Sequence, residues 1–284
     1  MKLPFIFTED KHFWEVKSTL RGKIGELLNI FPEKELPLRI DVASSITGEV
    51  MYTMQATEHS WFEKYDFYFQ DIFVYTASDQ LVWEQRWDIL KDPAYSLFYL
   101  LNCFKDTRGI VIGAHDGRYG EWVTLIKDKR HKILLVEASQ EQFDSLQKGY
   151  NKNTSVTLMK KLVTTDGKTV PFFEGGNGYG NSVYRVHLEN YLNGQEIRET
   201  LTDSISIVDL IENFSTELDW IHIDTEGYDA KLILALKERR DLLPRLIVFE
   251  DIHIPLEEKH ELENFLVIEG YSMHSYDGNT FCIR

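Results

Sequence analysis

From Gly109 onward the chain alternates apolar runs with helical patterns, and this alternation limits the possible folds more than any other feature of its 284 residues. The runs are Ile110-Val111-Ile112, Ile133-Leu134-Leu135-Val136, Val156-Thr157-Leu158-Met159, Trp220-Ile221-His222-Ile223 and Leu246-Ile247-Val248-Phe249. Helical patterns follow at Tyr119 to Lys127, Glu141 to Tyr150, Ala230 to Lys237 and Glu257 to Leu266. Strand–helix alternation needs right-handed crossovers, so it predicts a parallel sheet covered on both faces. The tail breaks the rhythm. Gly270 to Tyr276, Asp277-Gly278-Asn279 and Thr280 to Arg284 predict a terminal hairpin, hence an antiparallel last strand at one end of the sheet.

The first 106 residues have a different period. Leu38, Ile40 and Val42 alternate with polar neighbours, as do Val50, Tyr52 and Met54, with Thr47-Gly48 between them. A second pair, Phe67 to Tyr75 and Leu81 to Trp87, is joined by Ala77-Ser78-Asp79. Period-two runs separated by turn residues predict antiparallel strands. Ala94 to Phe104 reads as a helix, and Lys105 to Gly109 as the boundary. The expected division is therefore a β-rich unit, 1–106, a candidate contact for substrate or a second copy, and an α/β domain, 107–284. Aromatic residues crowd the first unit. Leu81, Trp83 and Trp87 share a strand face, with Trp61 and Phe62 in a loop. They read as the unit's own core, or as a platform stacking on sugar rings.

Composition excludes several partners. With 31 Lys and Arg against 46 Asp and Glu, the net charge of −15 repels phosphates, which disfavours nucleic acid and anionic lipid surfaces. Cys103 and Cys282 are too few for a disulfide framework or a four-cysteine zinc site; two free thiols are the simpler reading than one bridge. The apolar run near Met1 is too short for a signal peptide, and no stretch approaches the roughly 18 apolar residues of a membrane span. The expectation is a soluble, cytoplasmic protein.

Three strand tips carry the chemistry. Gly113-Ala114-His115-Asp116-Gly117 closes the first parallel strand. Its glycines allow a tight turn and close approach to a ligand, and a helix opening there would offer free N–H groups. The spacing is not that of the dinucleotide fingerprint, which disfavours a nicotinamide-dependent dehydrogenase. Glu137, followed by Ala138, closes the second strand, where a carboxylate can accept hydrogen bonds from a ribose diol. Asp224-Thr225-Glu226-Gly227-Tyr228-Asp229 closes the fourth; its acids either face the cleft or cap a helix. Gly175-Gly176-Asn177-Gly178-Tyr179-Gly180 lies in the least regular segment, Gly167 to Leu201, and reads as a flexible loop or a lid over a pocket.

With these residues in view, the chain from Gly109 to Arg284 resembles the FkbM family of S-adenosylmethionine-dependent methyltransferases. The carrying residues are Gly113 to Gly117, Glu137-Ala138, Thr165-Asp166-Gly167, Asn181-Ser182, Ser204 to Leu210, Ile223 to Tyr228 and Val248-Phe249-Glu250. The resemblance implies a class I methyltransferase fold, Rossmann-like, with a seven-stranded, mostly parallel sheet. It implies S-adenosylmethionine as cofactor, with Gly113, Ala114, His115, Asp116 and Gly117 meeting its methionine part. Glu137 and Ala138 would lie at the ribose, and Asp224 near the sulfonium. The family has an acid where Val111 stands and Asn where His115 stands; Asp116 is a candidate substitute for the missing carboxylate.

Methyl transfer to a hydroxyl of a sugar, glycan or secondary metabolite needs a base or a metal to take the proton. Among His115, His222 and His253, the strand-tip His253 is the best candidate base, or else a hydrogen-bonded loop histidine, with Asp224 beside the transferring methyl; His222, inside an apolar run, reads as structural. Asp224, Glu226, Glu250, Asp251 and His253 could gather a divalent cation such as Mg2+, but their spacing assigns no metal ligand. A non-catalytic binding or scaffold protein is the rival, prompted by Val111 and His115.

Overall fold

The computed structural model describes residues 37–44, 50–56, 70–85, 93–103, 105–126, 128–176, 178–192, 196–276 and 278–284. The chain forms two compact units, Met1–Leu97 and Phe98–Arg284. The first contains strands β1 (Leu38–Ser44), β2 (Val50–Ala56), β3 (Gln70–Tyr75) and β4 (Leu81–Gln85), in the order β2-β1-β3-β4 with every pair antiparallel. Leu38 and Ile40 are fully buried and the intervening Arg39 is not, the alternation expected of a half-buried strand. Asp79, at φ 66, closes the turn between β3 and β4. Thr47-Gly48, Trp61, Phe62, Trp87 and the Trp83 side chain lie outside the described residues; Leu81 is exposed. The units divide inside helix α1 (Pro93–Asn102), ahead of the Lys105 to Gly109 stretch. The physical reason is Phe98, whose ring meets Trp220 edge-on at 5.1 Å.

The second unit is built on seven strands. β5 (Arg108–Ile112), β6 (Lys132–Glu137), β7 (Val156–Lys160), β12 (Trp220–Ile223) and β13 (Leu246–Glu250) run parallel. β14 (Ser272–Tyr276) and β15 (Asn279–Ile283) form the expected hairpin, and the full order is β14-β15-β13-β12-β5-β6-β7. Central strands buried on both faces need continuous apolar runs, and β12 and the last four residues of β5 are buried throughout. Helices α2 (Gln140–Tyr150), α4 (Ile207–Phe214), α5 (Asp229–Leu234) and α6 (Leu256–Ile268) accompany the sheet. The core gathers Ile110, Leu134, Leu210, Ile221, Ile233, Ile247, Phe249 and Leu262.

The expected helix over Tyr119 to Lys127 is replaced by a short 3-10 turn, Glu121–Leu125. Gly117 and Gly120 adopt φ 78 and 100, which no helix tolerates, and Glu121, Trp122, Val123 and Leu125 are all buried, leaving only Thr124 partly exposed in the turn. The segment after β7 is more ordered than its sequence indicates. β8 (Leu162–Thr164) pairs parallel with β11 (Ser204–Ser206). β9 (Pro171–Gly175) pairs antiparallel with β10 (Ile197–Leu201), and helix α3 (Arg185–Leu192) lies between them in sequence. Cys103 and Cys282 are free thiols. Among the described residues no helix is long and apolar enough to cross a membrane.

Candidate functional site

The chain runs outward from β5 to β6 and β7, then returns to β12 on the other side of β5. Ligands of open α/β sheets bind at such a reversal, beyond the carboxyl ends of the strands. A cleft of about 930 Å³ opens there, lined by Gly113, Ala114, His115, Glu137, Ala138 and Asp224 among others. Asp116, Gly117 and His253 do not line it.

The Gly113 turn is spent on the protein's own backbone. Gly113 and Ala114 donate their N–H groups to Val136 O at 3.1 and 3.0 Å, and Gly117 N donates to Ala114 O. No helix starts at this loop, so the expected free helical N–H groups are absent from it. Asp116 is held against Arg118, and despite burial the Arg118 and His115 contacts hold its carboxyl low, at about 2. Its carboxylate is thus engaged by the Arg118 guanidinium. Val111 itself is fully buried beside His222 on β12. The buried carboxylate there is Glu121, whose Oε2 lies 2.8 Å from His222 Nε2. That pair gives His222 the structural place expected of it. Glu121 gave no signal in sequence, because its role depends on a contact between distant segments.

Glu137 is buried at the tip of β6. Its Oε2 accepts the His115 N–H and its Oε1 the Ser139 N–H, both at 2.8 Å. Burial raises its pKa, against these hydrogen bonds. A carboxylate offers about four lone-pair sites, so these bonds leave room for a further donor. His115 takes the left-handed region at φ 48, and its ring stacks on Tyr179 at 4.5 Å. Tyr179 belongs to the glycine loop, which thus forms a wall of the cleft: Gly178, Tyr179, Asn181 and Ser182 all line it.

Asp224, Glu226 and Glu250 converge, with one oxygen of each within 4.8 Å of the others. Burial raises the pKa of all three, and mutual repulsion raises Asp224 and Glu250 further. The alternative reading of Asp224 or Thr225 as helix cap does not hold. Tyr228 occupies the cap position of α5, and Thr225 donates its hydroxyl to Asp229 Oδ2 at 2.8 Å. The Asp224 side chain makes no hydrogen bond among the described residues and faces the cleft. On the outer side of Glu226 stand His187, from α3, and His253, after β13. Burial lowers the pKa of both, and the neighbouring His187 lowers that of His253 further. His187 sits in the irregular segment, and nothing in its local sequence marks it.

Asp229 lies fully buried beneath this cluster, with Oδ1 unpartnered. Burial first, then the Asp224 charge, push its pKa up to about 8. A folded-state pKa above the unfolded one makes the fold lose stability as pH rises from the unfolded value towards about 8. Asp229→Asn should therefore raise the melting temperature at pH 8 by roughly 2–4 °C, about 1 kcal/mol, with the gain shrinking towards pH 4. Parallel melting curves of the two proteins across this range would refute that assignment.

A sequence profile described as the methyltransferase FkbM domain matches residues 112–273. No curated protein matches the chain. Similar solved structures include a precorrin-6y C5,15-methyltransferase from Geobacter metallireducens, at 12% identity and TM-score 0.36, covering 66% of this chain and 84% of that one. A SAM-dependent methyltransferase from Aquifex aeolicus matches at 12% identity and TM-score 0.36, covering 68% and 94%. Fibrillarin from Aeropyrum pernix, solved with natively bound S-adenosyl-L-methionine, matches at 10% identity and TM-score 0.37, covering 75% and 94%.

Proposed function

The chain belongs to the FkbM methyltransferase family, and on that premise we propose that it methylates a hydroxyl of a sugar, glycan or secondary metabolite. The observation that carries this reading is the cleft itself. Glu137 and Asp224 both line it beside the Gly113 turn, so two carboxylates are available to one cationic ligand. S-adenosylmethionine, the cofactor of this family, supplies an electrophilic methyl group on a sulfonium. The residues present suit it. Glu137 has room for the ribose diol, the Gly113–Ala114 turn lines the cleft where the methionine part would lie, and the unpartnered Asp224 carboxylate attracts the sulfonium.

Acceptor binding falls to the Glu226 side. Tyr228 lines the cleft, Tyr184 lies 5.9 Å from it edge-on, and Lys231 Nζ stands 5.1 Å over the Tyr184 ring. Aromatic faces and a cation suit a hydroxyl-rich acceptor. In a metal-free site the His253 imidazole, whose pKa burial lowers, takes the hydroxyl proton. The free Cys103 and Cys282 suit a cytoplasmic setting.

Calorimetric titration with S-adenosylmethionine, its demethylated product and NAD tests the reading. Both sulfur ligands should bind at micromolar levels and NAD should not; no sulfur-ligand binding below millimolar would sink it. His253→Ala should lose turnover and keep cofactor affinity; normal turnover would remove His253 from proton transfer. The second reading, a binding protein without catalysis, draws on His115, whose ring occupies the cleft wall where the family has Asn. It predicts cofactor binding with no methyl transfer to any hydroxylated acceptor.

A further inference from the structure

We propose that His187, Glu226 and His253 form a binding site for one divalent transition-metal ion beside the methyl-donor cleft. One donor atom from each lies within 4.8 Å of the other two. His187 Nε2 is 2.9 Å and His253 Nε2 3.5 Å from the same oxygen, Glu226 Oε2, and the two rings are 4.3 Å apart at 71°. Ions of this class sit about 2.0–2.2 Å from such nitrogen and oxygen donors, which places the donors roughly 3 Å apart. The triad is thus close to that spacing.

Two further observations point to a ligand. The first is His187 Nε2, which is sealed from solvent and forms no hydrogen bond even at 2.9 Å from a carboxylate oxygen. His222 Nε2 makes a well-formed bond to Glu121 at a similar 2.8 Å. The His187 nitrogen therefore directs its lone pair or proton away from the line to Glu226. The second is the backbone at Glu226, which adopts φ 56, a left-handed conformation costing a non-glycine residue about 1–2 kcal/mol. Strain of this kind persists where the surroundings impose it. Here Gly180 N donates to Glu226 Oε1, Ser182 Oγ donates to Glu226 O, and Gly227, at φ 96, leaves only 3.0 Å between a Cβ and His253 O. The result is one carboxylate oxygen presented to two imidazoles that come from different elements.

Two imidazoles with one carboxylate suit Zn2+, Mn2+, Fe2+ or Co2+ better than Mg2+ or Ca2+, which prefer oxygen donors alone. Asp224 and Glu250 supply nearby oxygens through the carboxylate group shared with Glu226. Three protein ligands leave coordination positions open, as in catalytic rather than structural sites, and His253 is the exposed member. The ion's role rests on the O-methylation reading; its binding does not. In that role the acceptor hydroxyl coordinates the ion, its pKa falls and its proton leaves to solvent. His253 is then a ligand instead of the base.

The test uses the full chain stripped with a chelator and titrated with Co2+, followed by visible absorption and displacement with Zn2+, alongside calorimetry with S-adenosylmethionine. One Co2+ per chain with d–d bands is expected, weakened at least a hundredfold in His187→Ala and in the exposed-site variant His253→Gln, with melting curves confirming that each folds. Absence of Co2+ and Zn2+ binding, or binding unchanged in both variants, overturns the site. S-adenosylmethionine binding without metal binding overturns the site and leaves methyl transfer standing. Metal binding without S-adenosylmethionine binding supports the site and removes the methyl-transfer role.

Discussion

Gly113→Ala is expected to unfold the chain at a melting temperature roughly 10 °C lower and to abolish measurable cofactor binding. Gly113 sits at φ +82, and a Cβ there would stand 1.7 Å from the carbonyl oxygen of Asp224. Both neighbours at this point are backbone, so no side chain can swing aside. Relief requires β5 and β12 to part at their tips, which breaks the 2.9 Å bond from Asp224 N to Ile112 O. Left-handed strain of about 1–2 kcal/mol adds to overpacking of roughly 1–3 kcal/mol. At roughly 2–4 °C per kcal/mol in a protein of this size, the sum matches the stated shift. Gly149→Ala is the control: it lies within α2, a Cβ there meets nothing within 4 Å, and it should stabilise by about 0.5–1 kcal/mol. Cofactor affinity and melting temperature unchanged in Gly113→Ala would show that the turn can open without harm.

Glu137→Ala should weaken S-adenosylmethionine binding on the order of ten- to hundredfold, since hydrogen bonds to a charged group contribute roughly 1.5–3 kcal/mol. The carboxylate also holds the N–H groups of His115 and Ser139, so the variant loosens the loop as well as removing the proposed ribose contact. A cofactor analogue lacking both ribose hydroxyls separates the two effects. It should bind the parent protein more weakly than the natural cofactor, and that difference should vanish in Glu137→Ala. A difference that persists would confine Glu137 to ordering the Gly113 turn.

Much of the fold was legible because its signals are local. The five parallel strands are short apolar runs, and the terminal hairpin is marked by Asp277-Gly278-Asn279. The Tyr119 to Lys127 helix was misread because dense apolar content cannot distinguish a one-faced helix from a segment buried all round; the positive φ of Gly120 and the burial of Glu121 decide it. Gly113, Glu137 and Asp224 could be marked as a site by their place at strand tips. His187 and Glu121 could not, since each meets a partner distant in sequence.

By itself, then, the sequence determined the parallel sheet, the hairpin that ends it and the strand tips that line the cleft, because periodicity and turn chemistry are written in neighbouring residues. Tertiary structure alone decided what those tips do with their polar groups. It turned the Gly113 loop's amides inward and committed Asp116 to Arg118. It also brought His187, Glu226 and His253 together around one carboxylate oxygen. Such assignments depend on distances between segments far apart in the chain, which no local pattern encodes.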